Sequence, residues 1–193
     1  QVNYAPGTIE VRDVSLDAVA VPANGAKRPL LGGEPAAMAA ALEKTDKGFR
    51  LTSSPKPDAR PWDHSFKIPL AGTIVPGETV LLRLRARSAD KLQTNFFVEL
   101  NGEPHTKLIS TSAGLGPEWK TYQGATRITD GYGPGELTFT TFLGYGKGTV
   151  ELADIEVLAL GDVDPRPYNV TADIYGGAKV TDEARWGATA WST

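Results

Sequence analysis

Three short alternating stretches place reactive side chains in the phase opposite an apolar row. In 80–88, Val80, Leu82, Leu84 and Ala86 alternate with Arg83, Arg85 and Arg87. In 93–100, Phe96, Val98 and Leu100 alternate with Asn95, Phe97 and Glu99. In 62–70, His64, Phe66, Ile68 and Leu70 alternate with Asp63, Ser65 and Lys67. Period-two alternation puts each set on its own face of a strand. If the first two stretches are neighbours, Arg85, Asn95, Phe97 and Glu99 share one surface, with Asp63 from the third. That surface combines a flat apolar ring with groups that donate and accept hydrogen bonds. The bland reading is a solvated ladder of arginine–carboxylate pairs, with Phe97 covered by a loop as a second core residue.

Other chemistry is excluded or poorly supplied. The chain has no cysteine, so disulfides, thiolate metal sites and thiol nucleophiles are out. Two histidines far apart make a histidine-based zinc site improbable. Hydrolysis between two acids across a cleft would need Glu99 with Asp63. Elimination would need a base beside a cation that neutralises a carboxylate, such as His105 with Arg85. No clustered acids occupy one face, and the chain is expected to be non-catalytic.

The elements that would position these residues are strands. The chain has 193 residues with 21 Gly and 14 Pro, scattered without period, which suits short strands and turns. Pro76-Gly77, Asn101-Gly102 and Tyr132-Gly133-Pro134-Gly135 are turn signals. The only helix-favouring stretch is Pro35 to Lys44, read as one or two turns at a sheet edge. Trp119 is read as core, in the inward phase of the strand that follows it. The expected fold is all-β: an antiparallel sandwich of jelly-roll type with one short helix and irregular terminal extensions. The expected division is 1–20, a terminal strand or the tail of a preceding module; 21–163, the sandwich; and 164–193, a linker or the start of another domain. No stretch is apolar enough to span a bilayer as a helix, so no membrane partner is expected. A net charge of −3 argues against nucleic acid as the partner.

One motif occurs twice. Gly7-Thr8-Ile9-Glu10-Val11-Arg12-Asp13-Val14 returns as Gly148-Thr149-Val150-Glu151-Leu152-Ala153-Asp154-Ile155. Both copies change face at the aspartate, as a strand with a bulge would. Together with Phe49-Arg50-Leu51, Arg60-Pro61-Trp62-Asp63, the Pro-Gly-Glu-Thr turn before Leu81-Leu82-Arg83, and Glu118-Trp119-Lys120-Thr121-Tyr122, the second copy resembles carbohydrate-binding modules of the family 4/9 type. Such modules accompany bacterial family 10 xylanases, and the likeness runs from about Leu30 to Gly161.

The resemblance implies a polysaccharide lying across a concave sheet face. A sugar ring needs an aromatic plane under its C–H face and polar groups around its hydroxyls. Trp62 and Phe97 are then the stacking candidates, and Asp63, Arg85, Asn95 and Glu99 the hydroxyl contacts. Trp62 could instead plug the end of the sandwich. An arginine row that bound would favour a uronate-decorated polymer. In related modules an acid placed like Asp154 holds a structural calcium with backbone carbonyls; a bulge aspartate bonding its own backbone is the alternative. The partners implied are a polysaccharide and a covalently linked catalytic domain, in a secreted or periplasmic protein, with this chain a monomer. The rival expectation is a sandwich that braces its neighbours and binds no sugar.

Overall fold

The computed structural model describes residues 27–169; the first copy of the repeated motif and the segment after Asn169 lie outside them. Eleven strands form two antiparallel sheets. In chain order they are β1 (Arg28–Pro29), β2 (Ala36–Met38), β3 (Ala40–Thr45), β4 (Gly48–Ser53), β5 (Ser65–Pro69), β6 (Thr79–Arg87), β7 (Gln93–Leu100), β8 (Lys107–Gly114), β9 (Lys120–Arg127), β10 (Leu137–Phe142) and β11 (Gly148–Ala159). The first sheet runs β3-β4-β11-β6-β9, with β1 added along the end of β11; the second runs β2-β5-β10-β7-β8. From β4 to β7, and again from β8 to β11, consecutive strands alternate between the sheets. This is the antiparallel sandwich that the alternating pattern and frequent turns require.

The core fills the space between the sheets. Leu51, Leu82, Leu84 and Leu152 from one sheet meet Phe66, Phe96, Val98 and Phe139 from the other, all fully buried. Phe66 and Phe139 pack edge to face with centroids 6.4 Å apart, and Phe49 tilts onto Phe66 at 4.9 Å. Inward phases along 62–70, 80–88 and 93–100 are as the alternation gives them. Gly77 turns at φ +89° between Pro76 and Glu78, where a left-handed residue is needed.

Pro35 to Lys44 is not helical. Ala36–Met38 pairs with β5 and Ala40–Thr45 with β4, so one run supplies an edge strand to each sheet. The chain passes between them at Ala39, whose φ is +52°. Alanine's helix preference is worth only tenths of a kcal/mol per residue, and two rows of ladder hydrogen bonds outweigh it. Among the described residues the only helical turns are 3-10, at Pro61–Asp63 and Arg166–Tyr168.

The outer face of the first sheet is a charged ladder. Arg83 Nη2 lies 2.6 Å from Glu156, Arg85 Nη1 3.3 Å from Asp154, and Arg87 Nη2 2.6 Å from Glu151. Arg50 bridges Glu43 and Glu151. Burial pushes the Glu151 carboxyl up, but hydrogen bonds from Arg87 and Arg50 outweigh it and hold the group below the ordinary carboxylate range. A carboxyl held lower in the folded chain than in the unfolded one stabilises above its unfolded pKa, and that contribution goes as pH falls through the folded value. The wild type should therefore lose stability on the acid side, below about pH 4.5, more steeply than Glu151→Gln. Equal slopes of Tm against pH for the two proteins would contradict this.

At the other end of the same face, Leu81, Ala125, Leu158 and Leu160 form a small second cluster covered by Val163 and Tyr168. The covering segment is pinned by Asn169. Its side chain accepts from Ala125 N (2.7 Å) and donates to Ala125 O (2.9 Å), as a neighbouring strand would.

Candidate functional site

β6 and β7 are not neighbours. β6 lies inside the six-stranded sheet and β7 inside the five-stranded one. Their outward residues therefore face opposite surfaces of the sandwich. Arg85 is separated from Asn95, Phe97 and Glu99 by the whole core, and joins Asp154 instead. His105 and Arg85, the pair an elimination would need, are likewise on opposite sides. The reason is topological: the 88–92 connection crosses from one sheet to the other rather than closing a hairpin.

The outer face of the five-stranded sheet keeps the rest together. Register aligns Ala36, Lys67, Thr140, Phe97 and Ser110 in one row across its strands. A second row holds Pro69, Thr138, Glu99 and Lys107. Met38, Ser65 and Phe142 lie in a third. A register shift after Val98 brings Lys107, rather than residue 108, opposite Glu99.

Over these rows lies a groove of about 420 Å³, lined by Met38, Trp62, Ser65, Lys67, Glu99, His105, Lys107 and Phe142. Its size is that of a small-ligand site. Trp62 stands at the rim on the 3-10 turn Pro61–Asp63 and is 47% exposed. Its ring is tilted against Phe142 at 6.4 Å, and the Arg60 guanidinium covers it at 5.4 Å. The turn is seated by Gly144, whose N–H donates to Pro61 O at 3.0 Å. An added Cβ on Gly144 would meet the carbonyl oxygens of Arg60 and Pro61 at 2.6 and 2.7 Å, so only glycine allows this approach.

Phe97 is 6% exposed. It packs on Phe142 at 4.8 Å, and the Lys107 ammonium lies 5.3 Å from its ring and 5.6 Å from that of Phe142. Phe97 therefore supports the platform from below, and Trp62 and Phe142 present their rings above it. Phe142 was missed in the sequence, although it sits in the phase opposite Leu137 and Phe139, the same signal that marks Phe97.

Glu99 lies at the floor and is 1% exposed. Lys107 Nζ is 2.7 Å from its Oε2 and Lys67 Nζ 3.8 Å from its Oε1. The closer ammonium approaches off the hydrogen-bonding direction, which leaves Oε2 without a hydrogen-bond partner among the described residues; it donates to His105 O at 2.9 Å. The Thr140 hydroxyl in the adjacent row is also buried without a partner. Buried polar atoms of this kind are uncommon and point to a water or ligand.

Asp63, Asn95, Trp119 and Asp154 lie outside the groove's lining. Asp63 Oδ2 accepts from Arg60 N at 2.8 Å and closes the turn that carries Trp62. Asn95 is on the groove's sheet, hydrogen-bonded to Tyr145 and accepting from Ser112 Oγ at 2.7 Å. Trp119 is not core: it is half-buried on the opposite surface, with the guanidinium groups of Arg85 and Arg87 at 5.3 and 4.7 Å. Asp154 marks a bulge in β11 at φ +51°, and its N–H donates to Lys47 O at 3.1 Å. Its carboxylate meets a guanidinium, and no group of three or more acids or histidines that could hold a metal occurs among the described residues.

The two-sheet sandwich shares its fold with solved carbohydrate-binding modules. A family 4 carbohydrate-binding module superposes with a TM-score of 0.57 at 17% identity, over 65% of this chain and 94% of the module. The N-terminal cellulose-binding domain of Cellulomonas fimi β-1,4-glucanase C superposes with a TM-score of 0.51 at 19% identity, over 67% of this chain and 90% of that domain. At these identities the likeness is one of fold. No family model matches the chain, and no curated protein matches its sequence.

Proposed function

We propose that this chain is a non-catalytic polysaccharide-binding module of the family 4/9 type. The glycan lies over the outer face of the five-stranded sheet, stacked on Trp62 and Phe142. Lys67, Glu99 and Lys107 meet its hydroxyls from below, and Asn95 extends the polar surface beyond Phe142. The observation that carries this reading is the half-exposed Trp62 ring standing beside Phe142 over a floor of buried, incompletely hydrogen-bonded polar atoms. Among the described residues Glu99 is the only acid lining the groove, which leaves hydrolysis by paired carboxylates without a second partner among them. Plant or algal polymers, xylan-like ones among them, are the proposed ligands. A secreted glycoside hydrolase is the proposed parent, and tethering would raise its effective concentration at insoluble substrate.

Native affinity electrophoresis through gels containing xylan, β-glucan, galactomannan, pectin or alginate tests this. Retardation by at least one polymer is expected, with no product released on long incubation. Equal mobility in every gel would overturn binding and leave a structural brace. Running each gel with calcium and with EGTA examines Asp154 as well. We propose that Asp154 serves the sheet through Arg85, so chelation should not change mobility or Tm; a drop in either would restore a calcium ion.

A further inference from the structure

The groove carries one more cation than it has anions, which bears on the chemistry of its ligand. On the opposite sheet every arginine of the ladder has its own acid: Arg83 has Glu156, Arg85 has Asp154, and Arg87 and Arg50 share Glu151 with Glu43 added. In the groove, two lysines face a single carboxylate. That carboxylate is sunk at 1% exposure beneath them, while the two lysine side chains keep about a third of their surface in solvent, at 32% and 35%. Lys107 is the closer partner at 2.7 Å; Lys67 stands off at 3.8 Å. The rim does not restore the balance: Asp63 is already 3.5 Å from Arg60, and Glu103, with a side chain 91% exposed, does not line the groove.

We infer that the groove takes a glycan bearing anionic groups, with a carboxylate or sulfate on the sugar set against Lys67. This rests on the binding function proposed above and names its ligand class. The buried Thr140 hydroxyl, one position across the sheet from Lys67 in the same row, has no hydrogen-bond partner among the described residues. The chain as a whole carries −3, so its net charge does not draw in an acidic polymer.

The test is affinity electrophoresis of the full chain in gels of polygalacturonate, alginate, a sulfated galactan, and neutral xylan and β-glucan. Retardation is expected to be at least tenfold stronger, as an apparent Kd, in an acidic gel than in the neutral ones, and the uronate and sulfate gels separate the two anions. Lys67→Gln should abolish that preference while Tm stays within about 2 °C, since the substitution touches a part-solvated side chain. Arg83→Gln, on the opposite face, should keep the preference. Retardation by neutral polymers alone would overturn the anionic ligand and leave the binding function standing. An unchanged preference in Lys67→Gln would overturn the assignment of the anion to this lysine. Equal mobility in all gels would overturn both readings.

Discussion

Trp62→Ala is expected to weaken retention by the bound polysaccharide about 30-fold or more, with Tm unchanged to within about 2 °C. A large aromatic ring that supplies a stacking surface is the kind of residue whose truncation costs about 2 kcal/mol or more of binding free energy. The folded chain loses little, because the ring is already 47% exposed and touches the protein through Phe142 and the Arg60 guanidinium. Half-exposed side chains outside the core usually move stability by about 0.5 kcal/mol or less. Gel retardation and thermal melting of the same preparation separate the two effects. A large fall in Tm with unaltered retention would make Trp62 a plug for the sandwich and remove it from the site.

The reverse pattern is expected of Phe139→Ala. Phe139 has no exposed surface, lies at the centre of β10, and meets Phe66 edge to face across a well-filled core. Truncating a buried phenylalanine leaves a cavity and costs about 3–5 kcal/mol. For a domain of this size that is a fall in Tm of roughly 10–15 °C. Below the new transition, retention should survive, since β10 keeps Phe142 in place through its backbone pairs with β5 and β7. Urea unfolding followed by tryptophan fluorescence would measure the loss. A cost below about 1 kcal/mol would mean that the Phe66–Phe139 contact is not part of a close-packed core.

Much of the fold was legible because a half-buried strand writes its two faces into alternate residues. Val80 to Arg87 and Asn95 to Glu99 show it: each residue faces as its parity requires. The bulge at Asp154 was readable too, because the alternation slips there. What parity cannot say is which strands pair. It marks Arg85 and Asn95 as outward without saying that their outward directions are opposed. Lys107 is a second instance, since only the register shift after Val98 brings it to Glu99. The Ala-rich run failed for another reason. Its residues have a weak local preference for helix, and the hydrogen-bonding edges of two sheets were there to overrule it. Of the groove's lining residues, Trp62 was put forward by the resemblance and Glu99 by its phase. Phe142 was available by the same rule, and the charge imbalance of the groove emerged only once the arginine row had been assigned to the other surface.

The passage at Ala39 has a mechanical meaning under the proposed binding function. A polymer pulling on the groove draws on β2, through Met38 at its rim, and the next strand along the chain belongs to the opposite sheet. The two layers are thus laced together on the flank beside the ligand by one continuous peptide. Neither can be peeled outward without dragging on the hydrogen-bond rows of the other. Force applied at the groove is shared between both halves of the sandwich, and the flank resists as a seam rather than as a free edge.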